Sequence, residues 1–177
     1  MKIVKQLLSN ARFVSGGILL ASVAALGGAY TAQYAFHLTP CPLCLAQRAP
    51  YALTFLLGLA GHVFAHRNKP KKTAMFVALC APIFLVGAGI AFYHNGVEQH
   101  WWESAVEGCK VNFGADDPTL TLIQRIEATA PAKCDQIAWQ DPLLHMSMAA
   151  WNIVISAALA VGSLLSSILI ARKANGF

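Results

Sequence analysis

The sequence predicts an all-α membrane protein: a bundle of four transmembrane helices with a large outer loop that carries a short amphipathic helix. Three observations lead there. Only 12% of the 177 residues are charged and 56% are hydrophobic, whereas soluble domains carry about 25% charged residues. Four long stretches contain no Asp, Glu, Lys or Arg at all. Lys and Arg then fall mostly on one side of those stretches. The chain, 1–177, therefore reads as a single membrane domain.

The uncharged stretches are 13–36, 49–65, 73–93 and 142–171. A bilayer core about 30 Å thick needs roughly 20 helical residues at ~1.5 Å each. This predicts spans at 13–36, 43–65, 73–94 and 143–171, with an outer loop over 95–142. The first run follows Lys2, Lys5 and Arg12 but exceeds the ~7–15 apolar residues of a secretory signal, so it is expected to stay as a span. In the second, Arg48 belongs at the interfacial end. Pro50 should kink that helix or free the carbonyl of Ala46. Gly17 with Ala21, and Ala24 with Gly28, are spaced as helix-packing seams.

Charge sets the orientation. Lys2, Lys5, Arg12, Arg67, Lys69, Lys71, Lys72, Arg172 and Lys173 share one side. The opposite loop holds Lys110, Arg125 and Lys133, together with all eight acidic residues. A Lys/Arg excess marks the cytoplasmic face. Both termini are thus expected inside and the large loop outside. The net charge of +5 follows from this arrangement and gives no reason to expect a nucleic-acid partner. The partner of this surface is membrane lipid.

Five cysteines sort by compartment: Cys41, Cys44, Cys109 and Cys134 at or beyond the outer face, and Cys80 within the third span. Four outside is an even number where disulfides persist, with three possible connectivities. Cys80 reads as a small packed hydrophobe. Cys41-Pro42 reads as an N-cap followed by proline in the first helical turn. Cys44 falls near the unpaired N–H groups and positive end of that helix, with Arg48 at i+4 on its face. Both features favour a thiolate at Cys44, and CxxC pairs at helix starts have lowered pKa values. The alternative for Arg48 is snorkelling to headgroups.

Cys109 and Cys134 flank a segment opening with Asp117-Pro118, where Leu122, Ile123, Ile126 and Ala130 repeat about every four residues. This predicts a short amphipathic helix on the membrane surface, holding Cys134 within reach of Cys41. Trp101-Trp102 belongs to an interfacial aromatic belt. His94 lies at the outer end of span three, level with the CxxC; the other histidines read as interfacial or polar-packing residues. Two cysteine pairs can pass electrons by thiol–disulfide exchange, from a reduced thiol in outer water to an acceptor reachable from Cys44 in lipid. A membrane quinone fits that acceptor. Neither a metal nor haem is expected, since there is no CxxCH motif or second CxxC.

The element Cys41-Pro-Leu-Cys44-Leu-Ala-Gln-Arg48, the four spans and the second cysteine pair together resemble the bacterial disulfide bond formation protein B family, DsbB, over nearly the whole chain. The stretch Tyr93-His94-Asn95-Gly96-Val97-Glu98 and the segment from Cys134-Asp135 to Trp151-Asn152 are also similar to members. The resemblance implies an inner-membrane dithiol oxidase. A reduced thioredoxin-like periplasmic oxidase (DsbA-like) would attack at Cys109. Cys134 would then attack Cys41, and Cys44 would be released as a thiolate beside ubiquinone or menaquinone. Arg48 and His94 would bind the quinone.

Two other readings compete. A thiol relay carrying reducing power across the membrane needs paired thiols on both faces, and Cys80 is unpaired. A non-enzymatic membrane protein could hold a structural four-cysteine zinc site on its outer side, but zinc ribbons use two close pairs. Here Cys109 and Cys134 lie far apart in sequence.

Overall fold

The computed structural model describes residues 2–106, 109 and 134–176. The amphipathic helix expected near 117–130 lies outside the described residues. Among the described residues six helices follow in order: α1 (Lys2–Leu8), α2 (Ala11–Tyr34), α3 (Pro42–Ala46), α4 (Arg48–His66), α5 (Pro70–Glu98) and α6 (Met148–Ala174). Among the described residues there is no strand, only an isolated antiparallel bridge between Gln140 and Ser147.

Four segments are long and apolar enough to cross a bilayer: α2, α3 with α4, α5, and α6. Their starts follow local chemistry. Asn10 caps α2, its side-chain oxygen accepting the N–H groups of Arg12 and Phe13. Ser147 caps α6 through the Ala150 N–H, and Pro70 opens α5 where its missing N–H costs nothing. The second span is broken at Gln47, four residues before Tyr51 and just ahead of Pro50. Proline cannot supply the N–H that would bond the Ala46 carbonyl, so the helix parts one turn upstream of it. Helix α5 extends beyond the expected 73–94 at both ends, whereas α6 begins at Met148 rather than 143 and runs on past 171 to Ala174.

Helix α2 packs on α4, α4 on α5, and α5 on α6. The core between them contains Tyr51, Val77, Cys80, Phe84 and Ala160. Cys80 is fully buried there and its S–H donates to the Phe76 carbonyl, as its packing role requires. The outward faces carry Leu20, Leu56, Leu85, Val86 and Val161, all exposed. With lipid as solvent, such faces incur no hydrophobic penalty, and close approach of small residues drives helix association.

The close approaches are not where the small-residue spacing placed them. Gly17 and Gly28 meet nothing within 4 Å, and Ala24 and Gly28 instead line a cavity. The tight contacts are Gly58 on Ile18, Gly61 on Phe76 and Gly87 on Pro50, at 3.1, 3.3 and 3.2 Å from an added Cβ. Spacing marks a small-residue face, but the partner helix decides which face is used.

Candidate active site

All four outer cysteines meet at one end of the bundle. Cys41 caps α3, its sulfur accepting the Cys44 backbone N–H at 3.2 Å. Cys109 and Cys134 form a disulfide, and Cys41 and Cys44 are free. Cys41, Leu43, Val97, Cys109 and Cys134 form one buried apolar cluster, with Cys44 and Tyr93 packed against it. This pairing selects one of the three connectivities left open by sequence. It also withdraws the four-cysteine zinc site, because two of the four thiolates are already bonded to each other.

The last turn of α5 supports the approach of Cys109. Trp102 Nε1 donates to the Tyr93 carbonyl and the Tyr93 hydroxyl accepts the Ala105 N–H. The Trp102 ring lies over Gly96 so closely that a Cβ there would overlap it, at 2.0 Å. Glycine is needed at 96 because the indole occupies the place of a side chain.

The CxxC looks two ways. Cys41 faces the disulfide cluster and His94, with 3.5 Å between its sulfur and His94 Nε2. Cys44 instead lines a cavity of about 610 Å³ between α2, α4 and α6, alongside Arg48, Tyr51 and Asn152. The two sulfurs are 2.9 Å apart. Cys41 Sγ also takes the Cys44 N–H and faces an imidazole nitrogen, so once Cys41 is a thiolate the Cys44 S–H bonds to it. That bond, helped by His94, pulls the Cys41 thiol down to about 4 against the opposing effect of burial. Sequence placed the thiolate on Cys44 through the helix dipole and Arg48. The N-cap geometry gives it to Cys41 in this state, because the cap position is the one that receives N–H groups.

Arg48 does share the cavity with Cys44, but its hydrogen bond goes elsewhere. Its guanidinium donates to Gln33 Oε1 at 2.8 Å and lies 4.9 Å over the Tyr30 ring. These contacts turn Arg48 toward α2. Its Nε is buried with no hydrogen-bond partner among the described residues.

His94, expected at the quinone, is not among the residues lining the cavity. Its Nδ1 is 2.8 Å from Gln47 Nε2, and its Nε2 is 3.8 Å from Glu98 Oε1. Gln47 Oε1 accepts from Asn152 Nδ2 at 2.5 Å, so Gln47 presents its own N–H to His94 Nδ1. The ring proton therefore sits on Nε2, toward Cys41 and Glu98. Asn152 Oδ1 in turn accepts from Tyr51 and Ser156, and Glu98 accepts from Ser147. Sequence reasoning missed Gln47, Asn152, Tyr51 and Glu98 as a connected set. The available signal was polar residues inside apolar spans, which have to find partners there.

The assembled geometry is one pair of free cysteines, Cys41 buried against a disulfide and Cys44 half-buried at a largely apolar cavity. A family profile described as "Disulfide bond formation protein DsbB" matches residues 11–166. The chain belongs to the DsbB family. A protein of Dechloromonas aromatica named disulfide bond formation protein B is 29% identical over 156 residues, covering 84% of this chain and 86% of the relative. Disulfide bond formation protein B 1 of Pseudomonas fluorescens is 30% identical over 142 residues, 75% of each chain. An uncharacterized protein of Rickettsia prowazekii is 26% identical over 159 residues, covering 89% of this chain and 87% of its own. No solved structure matches. Membership in the DsbB family together with four apolar spans makes this a multi-pass bacterial membrane protein of disulfide bond formation.

Proposed function

We propose that this DsbB-family protein is a quinone-dependent dithiol oxidase of the inner membrane, with both termini cytoplasmic and its redox cysteines on the periplasmic side. The observation that carries the reading is the division of labour in the CxxC: Cys41 abuts the Cys109–Cys134 disulfide while Cys44 faces the cavity. A reduced thioredoxin-like protein (DsbA-like) attacks the disulfide at Cys109 and releases Cys134. Cys134 attacks Cys41 when the 41–44 pair is oxidised, so that electrons arrive at Cys44. Each step is a thiolate displacing a sulfur.

The cavity suits a quinone. Its walls are largely apolar, its size is that of small-molecule pockets (about 300–1,000 Å³), and the buried Arg48 Nε has no partner among the described residues. A quinone bound there would supply a two-electron acceptor, ubiquinone or menaquinone. Arg48, fixed by Gln33 and Tyr30, would hold its carbonyl. Gln47 ties the cavity wall to His94 and hence to Cys41, which gives His94 an indirect part in binding.

The test is quinone absorbance in detergent, with purified protein, a soluble quinone analogue and a reduced thioredoxin-like dithiol protein. Quinone should disappear catalytically, one equivalent per dithiol oxidised, and Cys44→Ser should abolish turnover. Turnover retained by that variant would overturn the reading.

A further inference from the structure

Glu98 stands behind His94 next to the redox pair, and the relay above gives it no task. It is the last residue of α5 and buried, 7% exposed. Among the described residues no Lys or Arg pairs with it. Ser147, at the start of α6, donates one hydrogen bond to Oε2, and Oε1 lies 3.8 Å from His94 Nε2. The ionisable groups around it are His94 on its own helix and Cys41 and Cys44 at the start of α3.

His94 Nε2 thus stands between two groups that each want its hydrogen, Cys41 Sγ at 3.5 Å and Glu98 Oε1 at 3.8 Å. Gln47 occupies Nδ1, so the neutral ring offers one N–H. One N–H cannot satisfy a thiolate and a carboxylate together, and two anions in a buried apolar cluster repel each other strongly. One anion at a time is well served.

We propose that Glu98 is the charge-compensating proton site of the Cys41–Cys44 pair. With the pair oxidised, Cys41 carries no charge, Glu98 is a carboxylate, and the His94 N–H turns to it. When the pair is reduced, Cys41 becomes the thiolate and takes the N–H, and Glu98 takes up a proton from outer water. The S–S bond breaks, two electrons enter from a dithiol, and two protons are bound, one on Cys44 as S–H and one on Glu98 as O–H. The site carries one negative charge before and after. Glu98 acts on the sulfur through His94 and is a positioning and proton-holding residue. The inference rests on the 41–44 pair cycling between dithiol and disulfide, as proposed above, and needs neither quinone nor partner.

The experiment is an equilibrium titration of full-length protein in detergent against dithiothreitol and its oxidised form, at several pH values around neutral. Samples are acid-quenched, alkylated after denaturation and read pair by pair by mass spectrometry. Dithiothreitol releases two protons with its two electrons, so the exchange constant of the wild-type 41–44 pair should not change with pH. In Glu98→Gln, which keeps an oxygen for Ser147 but holds no proton, only one proton is bound. Its exchange constant should then rise about tenfold per pH unit. Glu98→Asp, which keeps a carboxyl, should restore the flat profile. Equal pH dependence in wild type and Glu98→Gln overturns the proposal, as does a tenfold slope in Glu98→Asp. A pair that cycles with the wrong slope leaves the oxidase reading standing; a pair that never closes to a disulfide removes both.

Discussion

At the residue scale, the site depends on which sulfur receives hydrogen bonds. Cys41 is the cap of α3, so its sulfur takes the Cys44 N–H and the bond between the sulfurs, and its thiol falls to about 4. A depressed pKa means the anion is present above that value and lost as pH drops through it. Reduced protein should therefore show ultraviolet thiolate absorbance at pH 6 that disappears near pH 4. Cys41→Ser should remove the signal, and Cys44→Ala, by deleting the main hydrogen bond, should move its midpoint upward. Arg48 makes a second prediction. Lysine cannot reproduce a planar cation that both bonds Gln33 and stacks on Tyr30, a contact worth ~0.5–2 kcal/mol. Arg48→Lys should raise the KM for quinone about tenfold, with the KM for the protein dithiol unchanged, in the absorbance assay.

At the element scale, helix contacts depend on a few glycines, and the structure separates those that touch from those that do not. A Cβ at Gly87 would sit 3.2 Å from the Pro50 ring, which cannot swing aside, whereas at Gly17 it would meet nothing. Gly87→Ala should lower the thermal midpoint in detergent, a loss of about 1–3 kcal/mol by overpacking. Gly17→Ala should be neutral or stabilising by up to about 1 kcal/mol of helix propensity. Similar losses from both would mean that α4 and α5 do not meet at Pro50. The sequence already marked the four long spans and a disturbance at Pro50, though not α1, because apolar length and proline chemistry are local properties. It did not mark the right seams: Gly17 and Gly28 have the spacing, but which face finds a partner depends on how α2 is rotated against α4.

At the scale of the whole molecule, the cysteine cluster and the cavity lie at one end of the bundle, and the basic residues 67–72 at the other. The proposed orientation predicts that an impermeant maleimide labels Leu144→Cys in intact cells, with the outer membrane permeabilised, and Asn68→Cys only after lysis. Both positions are exposed. The reverse pattern would invert the topology and detach the relay from a periplasmic donor.

What the sequence determined by itself is the part written in local terms: four apolar spans, a proline-started helix capped by Cys41, four cysteines set apart from Cys80 within a span, and the family. Charge and hydropathy act residue by residue, so they are legible along one dimension. Tertiary structure alone decided that Cys109 pairs with Cys134, that Cys41 and Cys44 face opposite ways, and that Arg48 turns to α2. It also joined Glu98 and His94 of α5, Gln47 at the α3–α4 break and Asn152 of α6 into one polar set. Those residues are up to 105 positions apart. Burial in a medium without water is what forces them together, because each polar group inside the bundle has only the others to bond with.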